Sequence, residues 1–80
     1  MSEMARLRWR CRRGTREMDL LLESFLDEYY EDLPEDQQLV FARLLEESDV
    51  DILDWVMGKT RPAETAYHRV IEILQTRMKR

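Results

Sequence analysis

Arg12-Arg13-Gly14-Thr15-Arg16-Glu17 is the stretch that decides how this chain folds. It carries one of only two glycines and lies where an arginine-rich segment gives way to a strongly acidic one. Glycine accepts a positive φ, or lies close against another surface, at a lower cost than any residue with a side chain. Read locally, the stretch is a turn between two helices: Gly14 ends the first, and Thr15 or Glu17 favours the start of the second.

Working outward, the segment before the turn is ambiguous in period. Arg6-Leu7-Arg8-Trp9-Arg10-Cys11-Arg12 alternates as a half-buried strand would. It has no β-branched residue and no second strand to pair with, and a lone strand is not stable. As a helix, Met4, Leu7 and Cys11 share one stripe, with Ser2 as N-cap. Helix is the better reading. Arg6, Arg10 and Arg13 then fall roughly along one side, and Trp9 sits off the apolar stripe with its ring at least partly exposed.

After the turn, Met18, Leu21, Leu22, Phe25, Leu26 and Tyr29 recur at three- and four-residue spacing, predicting a helix from Thr15 to Tyr30. Asp32-Leu33-Pro34-Glu35-Asp36 reads as the start of another, with proline in the first turn and two acids at the positive end of the dipole. That helix buries Val40, Phe41, Leu44 and Leu45. Ser48 caps a short helix carrying Ile52, Leu53, Val56 and Met57, which Gly58 ends. Arg61-Pro62 interrupts any continuation. From about Ala63, the residues Ala66, Tyr67, Val70, Ile71, Leu74 and Met78 form a last stripe, with Arg77, Lys79 and Arg80 at the negative end of the dipole. The expected fold is all-α, a compact five-helix bundle with short connectors, in one domain spanning residues 1–80.

Composition narrows the function. Eighty residues, 44% of them apolar, make one small globular unit. A single cysteine forms no internal disulfide, and one histidine with one cysteine makes no familiar metal site. No apolar run approaches the length of a membrane span. The net charge of −4 is segregated. Residues 1–17 carry six basic side chains against two acids, residues 18–57 one against thirteen, and residues 58–80 six against two. Such blocks solubilise a small protein and can also orient a docking partner.

His68 and Cys11 are the only common candidates for catalysis, and both have plainer readings as a rim histidine and a buried thiol. The chain is therefore expected not to be an enzyme. The alternative is a small nucleic-acid-binding protein using the Arg-rich start with Trp9 as a stacking platform. The acidic middle and a pI near 5.0 oppose it.

The run Arg6-Leu7-Arg8-Trp9-Arg10-Cys11-Arg12-Arg13-Gly14-Thr15-Arg16-Glu17-Met18-Asp19 resembles the signature of the succinate dehydrogenase FAD assembly factors. The resemblance continues at Phe41-Ala42-Arg43-Leu44-Leu45-Glu46, at Asp51-Ile52-Leu53-Asp54-Trp55 and at Pro62-Ala63, with Pro34 departing where a capping hydroxyl is common. It implies a helical protein that binds the apo-flavoprotein subunit of succinate dehydrogenase, with fumarate reductase as a second candidate client. It implies too that the protein promotes covalent attachment of FAD to a histidine of that subunit, as a chaperone-like factor with no catalytic site and no stably bound cofactor. Carried over by residue, it assigns Arg13, Gly14 and Glu17 to an exposed partner-binding surface. Arg6, Trp9, Arg12 and Asp19 match less specifically. Gly14 would let two backbones approach, Arg13 would donate a forked pair of hydrogen bonds, and Glu17 would accept from the partner or fix Arg13. An Arg-rich start also fits a transit peptide, but here the motif already begins at Arg6. The expectation is a bacterial, cytoplasmic monomer with no nucleic-acid partner and no membrane insertion.

Overall fold

A computed structural model describes residues 2–78, an all-α assembly of about 35 × 27 × 23 Å. Five α-helices follow in order: α1 Glu3–Arg10, α2 Arg16–Tyr29, α3 Glu35–Leu44, α4 Asp49–Val56 and α5 His68–Met78. Short 3-10 turns at Tyr30–Asp32 and Thr65–Tyr67 precede α3 and α5. The last helix is the hub. It packs on α2, α3 and α4, while α1 lies against α2.

Local chemistry explains most of the boundaries. Ser2 Oγ accepts from the Ala5 amide at 3.1 Å, and Ser48 Oγ from the Asp51 amide at 3.2 Å, each meeting a donor that a helix start leaves unpaired. Gly58, at φ +78, closes α4. Its amide donates to Trp55 O at 3.1 Å and the Lys59 amide to Asp54 O at 2.9 Å, the paired bonds of a Schellman ending. The last helix begins later than its apolar stripe. Ala63 and Glu64 stay outside it, and Glu64 accepts from the Ala66 amide to start the 3-10 turn.

The core follows the helical period. Met18, Leu21, Leu22, Phe25 and Leu26 of α2 are buried against Val40, Phe41 and Leu44 of α3, Ile52 and Val56 of α4, and Val70, Ile71 and Leu74 of α5. Leu7 and Cys11 close it from α1, as their stripe requires. Two methionines and a leucine depart from the expected stripes: Met57 and Met78 are exposed and Leu53 is only half-buried. All three lie within the last four helical positions of α4 or α5 or just past them. Arg77 reaches back to α2 through Ser24 Oγ at 3.1 Å and Glu28 Oε2 at 2.5 Å. Lys79 and Arg80, expected to share its place at the helix end, lie outside the described residues. No helix among the described residues is long and apolar enough to cross a membrane.

Burial sets the alkaline limit of this fold. It pushes the Cys11 thiol up from about 9 to about 12. The Tyr67 hydroxyl, also buried and donating to Glu47 Oε2 at 2.8 Å, moves from about 10 to about 12. Both groups hold their protons more tightly folded than unfolded. Above pH 9 the folded state thus binds more protons than the unfolded one, and stability falls as pH rises towards 12. The urea midpoint is expected to drop between about pH 8 and about pH 10.5, and less so in Cys11→Val. An unchanged midpoint would contradict the burial of these two groups.

Candidate functional site

The corner between α1 and α2 is built by residues on three segments. Helix α1 stops at Cys11, whose amide donates to Leu7 O at 3.0 Å and Arg8 O at 3.2 Å. Arg13 therefore lies beyond the helix instead of continuing the side that carries Arg6 and Arg10. Gly14 takes φ +100, far from the helical region, and Thr15 is extended at φ −116 and ψ 140 as the N-cap of α2. Thr15 makes no capping bond with its side chain. Asp19, in the first turn of α2, instead reaches back to the turn that precedes the helix. One of its oxygens accepts from the Arg13 amide at 2.5 Å and the Gly14 amide at 3.3 Å.

Arg13 points inward. Its side chain is only 13% exposed. Nε donates to Asp49 Oδ1 at 2.5 Å, Nη1 to Leu45 O at 2.6 Å and Arg10 O at 3.3 Å, and Nη2 to Glu47 O at 2.6 Å. Leu45 caps the carboxyl end of α3 and Glu47 lies just past it, where the dipole is negative, a favourable seat for a guanidinium. The residue fixing Arg13 is thus Asp49, not Glu17. Sequence reading missed it because Asp49 lies 36 residues away and looked only like a first-turn acid.

Apart from the half-buried Asp19, the other assigned residues face outward. Gly14 and Glu17 are exposed, as are Arg6 and Arg12, and Trp9 is 69% exposed. The Arg12 guanidinium lies 5.9 Å from the centre of the Trp9 ring, a cation–π pairing. Trp9 and Arg12 line a cleft of about 280 Å³ with Ala5, Arg8 and Glu23. Glu17 borders a second cleft, of about 330 Å³, with Leu20, Leu21, Ser24, Arg77 and Met78. The structure thus brings Trp9 and Arg12 together and joins Arg13, Gly14 and Asp19 in one bonded corner. Arg6 and Glu17 stand apart from these bonds.

Half of the six arginines of the basic segment are matched within the chain. Arg8 pairs with Asp27, Arg10 with Glu46 at 3.8 Å and Arg13 with Asp49. Arg6, Arg12 and Arg16 are exposed outside these ion pairs, a short footprint for a polyanion. His68 is half-buried, bridging Pro62 O at 2.9 Å from Nε2 and Arg61 at 3.3 Å from Nδ1. Cys11 is fully buried, with its thiol well above the range in which a thiolate forms at neutral pH. Among the described residues, no group of three or more His, Cys, Asp or Glu side chains could hold a metal ion.

An exposed glycine corner held from beneath by a carboxylate suits contact with another protein. A family profile described as the flavinator of succinate dehydrogenase, Sdh5, matches residues 5–78. The chain belongs to this family. It is similar to the FAD assembly factor SdhE of Idiomarina loihiensis, 38% identical over 79 residues, which cover 99% of this chain and 88% of that protein. The SdhE proteins of Photorhabdus laumondii and Yersinia pestis are 39% and 35% identical over 75 residues, 94% of this chain and 85% of each of theirs. Family membership makes this a flavinylation factor for succinate dehydrogenase, a chaperone-like role, and gives the nucleic-acid reading no support.

Proposed function

We propose that this protein binds the apo-flavoprotein subunit of succinate dehydrogenase through the Gly14 corner and so promotes covalent attachment of FAD to that subunit, with no catalytic site of its own. The observation carrying this reading is the state of Gly14. It is exposed at φ +100, and a Cβ built on it meets nothing within 4 Å inside the protein. A backbone conformation that favours glycine is therefore spent on the outer surface, where it gives a partner backbone a close approach. Arg12, Trp9, Glu17 and Arg6 supply exposed charge and an aromatic ring around it, while Arg13 and Asp19 belong to the same corner.

A factor of this kind works by differential binding. By holding the partner in the arrangement that aligns its histidine with the flavin, it raises the population poised to react. The gain is bounded by its preference for that arrangement over others. FAD is the substrate of the partner's reaction and is not stably held by the factor. Fumarate reductase is a second client in this reading, and the factor acts as a cytoplasmic monomer.

The test is reconstitution. Apo-flavoprotein subunit and FAD are incubated with and without this protein, and covalent flavin is read by fluorescence after denaturing electrophoresis. The expected result is faster accumulation of covalent flavin with the factor. Equal rates in both arms end the proposal.

A further inference from the structure

We infer that Asp49 and Asp19 are positioning residues for the partner-binding surface, and that Arg13 acts through them as a latch on the Gly14 corner rather than as a contact. This rests on the proposed function and concerns how its surface is held. A guanidinium has five N–H donors. Four separate hydrogen bonds from Arg13 end within this chain, on Asp49 Oδ1, Leu45 O, Arg10 O and Glu47 O. One N–H remains, too few for the two-pronged recognition that makes arginine useful at an interface.

The corner needs such a latch. Gly14 is the most permissive residue of the connection, and no neighbour lies where a Cβ would stand. Nothing therefore packs over it on the side where a side chain would lie. Two carboxylates from different helices hold the corner. Asp19 in α2 gathers the amides of Arg13 and Gly14, and Asp49 at the start of α4 anchors the Arg13 side chain against the end of α3. A corner held in this way enters a complex already ordered. An unlatched one must be ordered by binding, which weakens affinity without altering the contacts finally made.

The experiment is a double-mutant cycle on the full chain with Arg13→Ala, Asp49→Ala and both together. Asp49→Asn is added because it keeps the side chain's shape and an acceptor oxygen at a half-exposed site. Each variant is titrated against the apo-flavoprotein subunit, the covalent flavin rate is followed against factor concentration, and exchange of the Arg13 and Gly14 amides is measured. The latch predicts that each single variant binds about tenfold more weakly and that the double is no worse than the weaker single. It also predicts unchanged flavinylation at saturating factor, faster exchange at Gly14, and an intermediate defect in Asp49→Asn. A loss of thermal stability alone, with affinity intact well below the unfolding transition, overturns it. So does wild-type binding by Asp49→Ala beside a defective Arg13→Ala, which makes Arg13 a direct contact. Gly14→Arg in the same assay separates the two levels. If it fails while Asp49→Ala is normal, only the latch is lost. If it binds and flavinylates like wild type, the proposed function falls as well.

Discussion

Gly14→Arg is expected to abolish covalent flavinylation of the partner while leaving the five helices folded. Two costs must be separated. The backbone cost is internal: φ +100 is a conformation that residues with side chains rarely adopt, at about 1–3 kcal/mol. A domain of this size has roughly 4–12 kcal/mol of total stability, so that strain lowers the unfolding transition without emptying the folded state. The second cost is external. With open space beyond the Cβ position, an arginine at 14 extends into the volume a partner backbone would fill. Gly14→Asn and Gly14→Ala divide the two. Asparagine tolerates a positive φ better than alanine and is larger. If strain dominates, Gly14→Ala is the more impaired of the two. If partner approach dominates, flavinylation falls in the order of size, from alanine through asparagine to arginine, whatever the melting temperatures do. The size order is expected, with covalent fluorescence reduced at least 100-fold, about 3 kcal/mol, for arginine. Full fluorescence with Gly14→Arg would remove the corner from the mechanism.

How far this could be seen in advance depended on range. The five buried positions of α2 recur at helical spacing, and the caps at Ser2 and Ser48 and the stop at Gly58 act within four residues, so each was readable from its neighbours. The alternating run around Trp9 was resolved in favour of a helix, and Trp9 emerged exposed as its angle required. What stayed hidden is non-local. Nothing in Ser48-Asp49 announces that Asp49 receives Arg13 across 36 residues, and nothing in Arg12-Arg13 distinguishes the outward guanidinium from the inward one. The distinction arises only when α3 ends opposite the corner and offers its carbonyls. The motif residues therefore divide by exposure into a held set and an offered set, a division that spacing along the chain does not encode.

Phe25→Ala is expected to produce the largest loss of stability. The Phe25 and Phe41 rings, both fully buried, stack with centroids 4.7 Å apart and join α2 to α3, and Phe25 also lies 5.5 Å from Tyr29. Removing a buried phenylalanine ring costs about 3–5 kcal/mol through lost transfer energy and the cavity left behind. Against roughly 4–12 kcal/mol in total, this brings the protein close to its folding threshold. The melting temperature should fall by about 15 °C or more. Phe25→Leu, which fills part of the space, should lose much less, and Leu39→Ala, at a side chain 62% exposed, should change little. The functional consequence follows from α2, which carries Asp19 beneath the corner and Glu17 beside it. Flavinylation by Phe25→Ala should therefore fail at the temperature where circular dichroism shows the helices melting and recover on cooling. Gly14→Arg should fail at every temperature. A Phe25→Ala protein that melts within a few degrees of wild type would mean that α2 and α3 do not share one cooperative core.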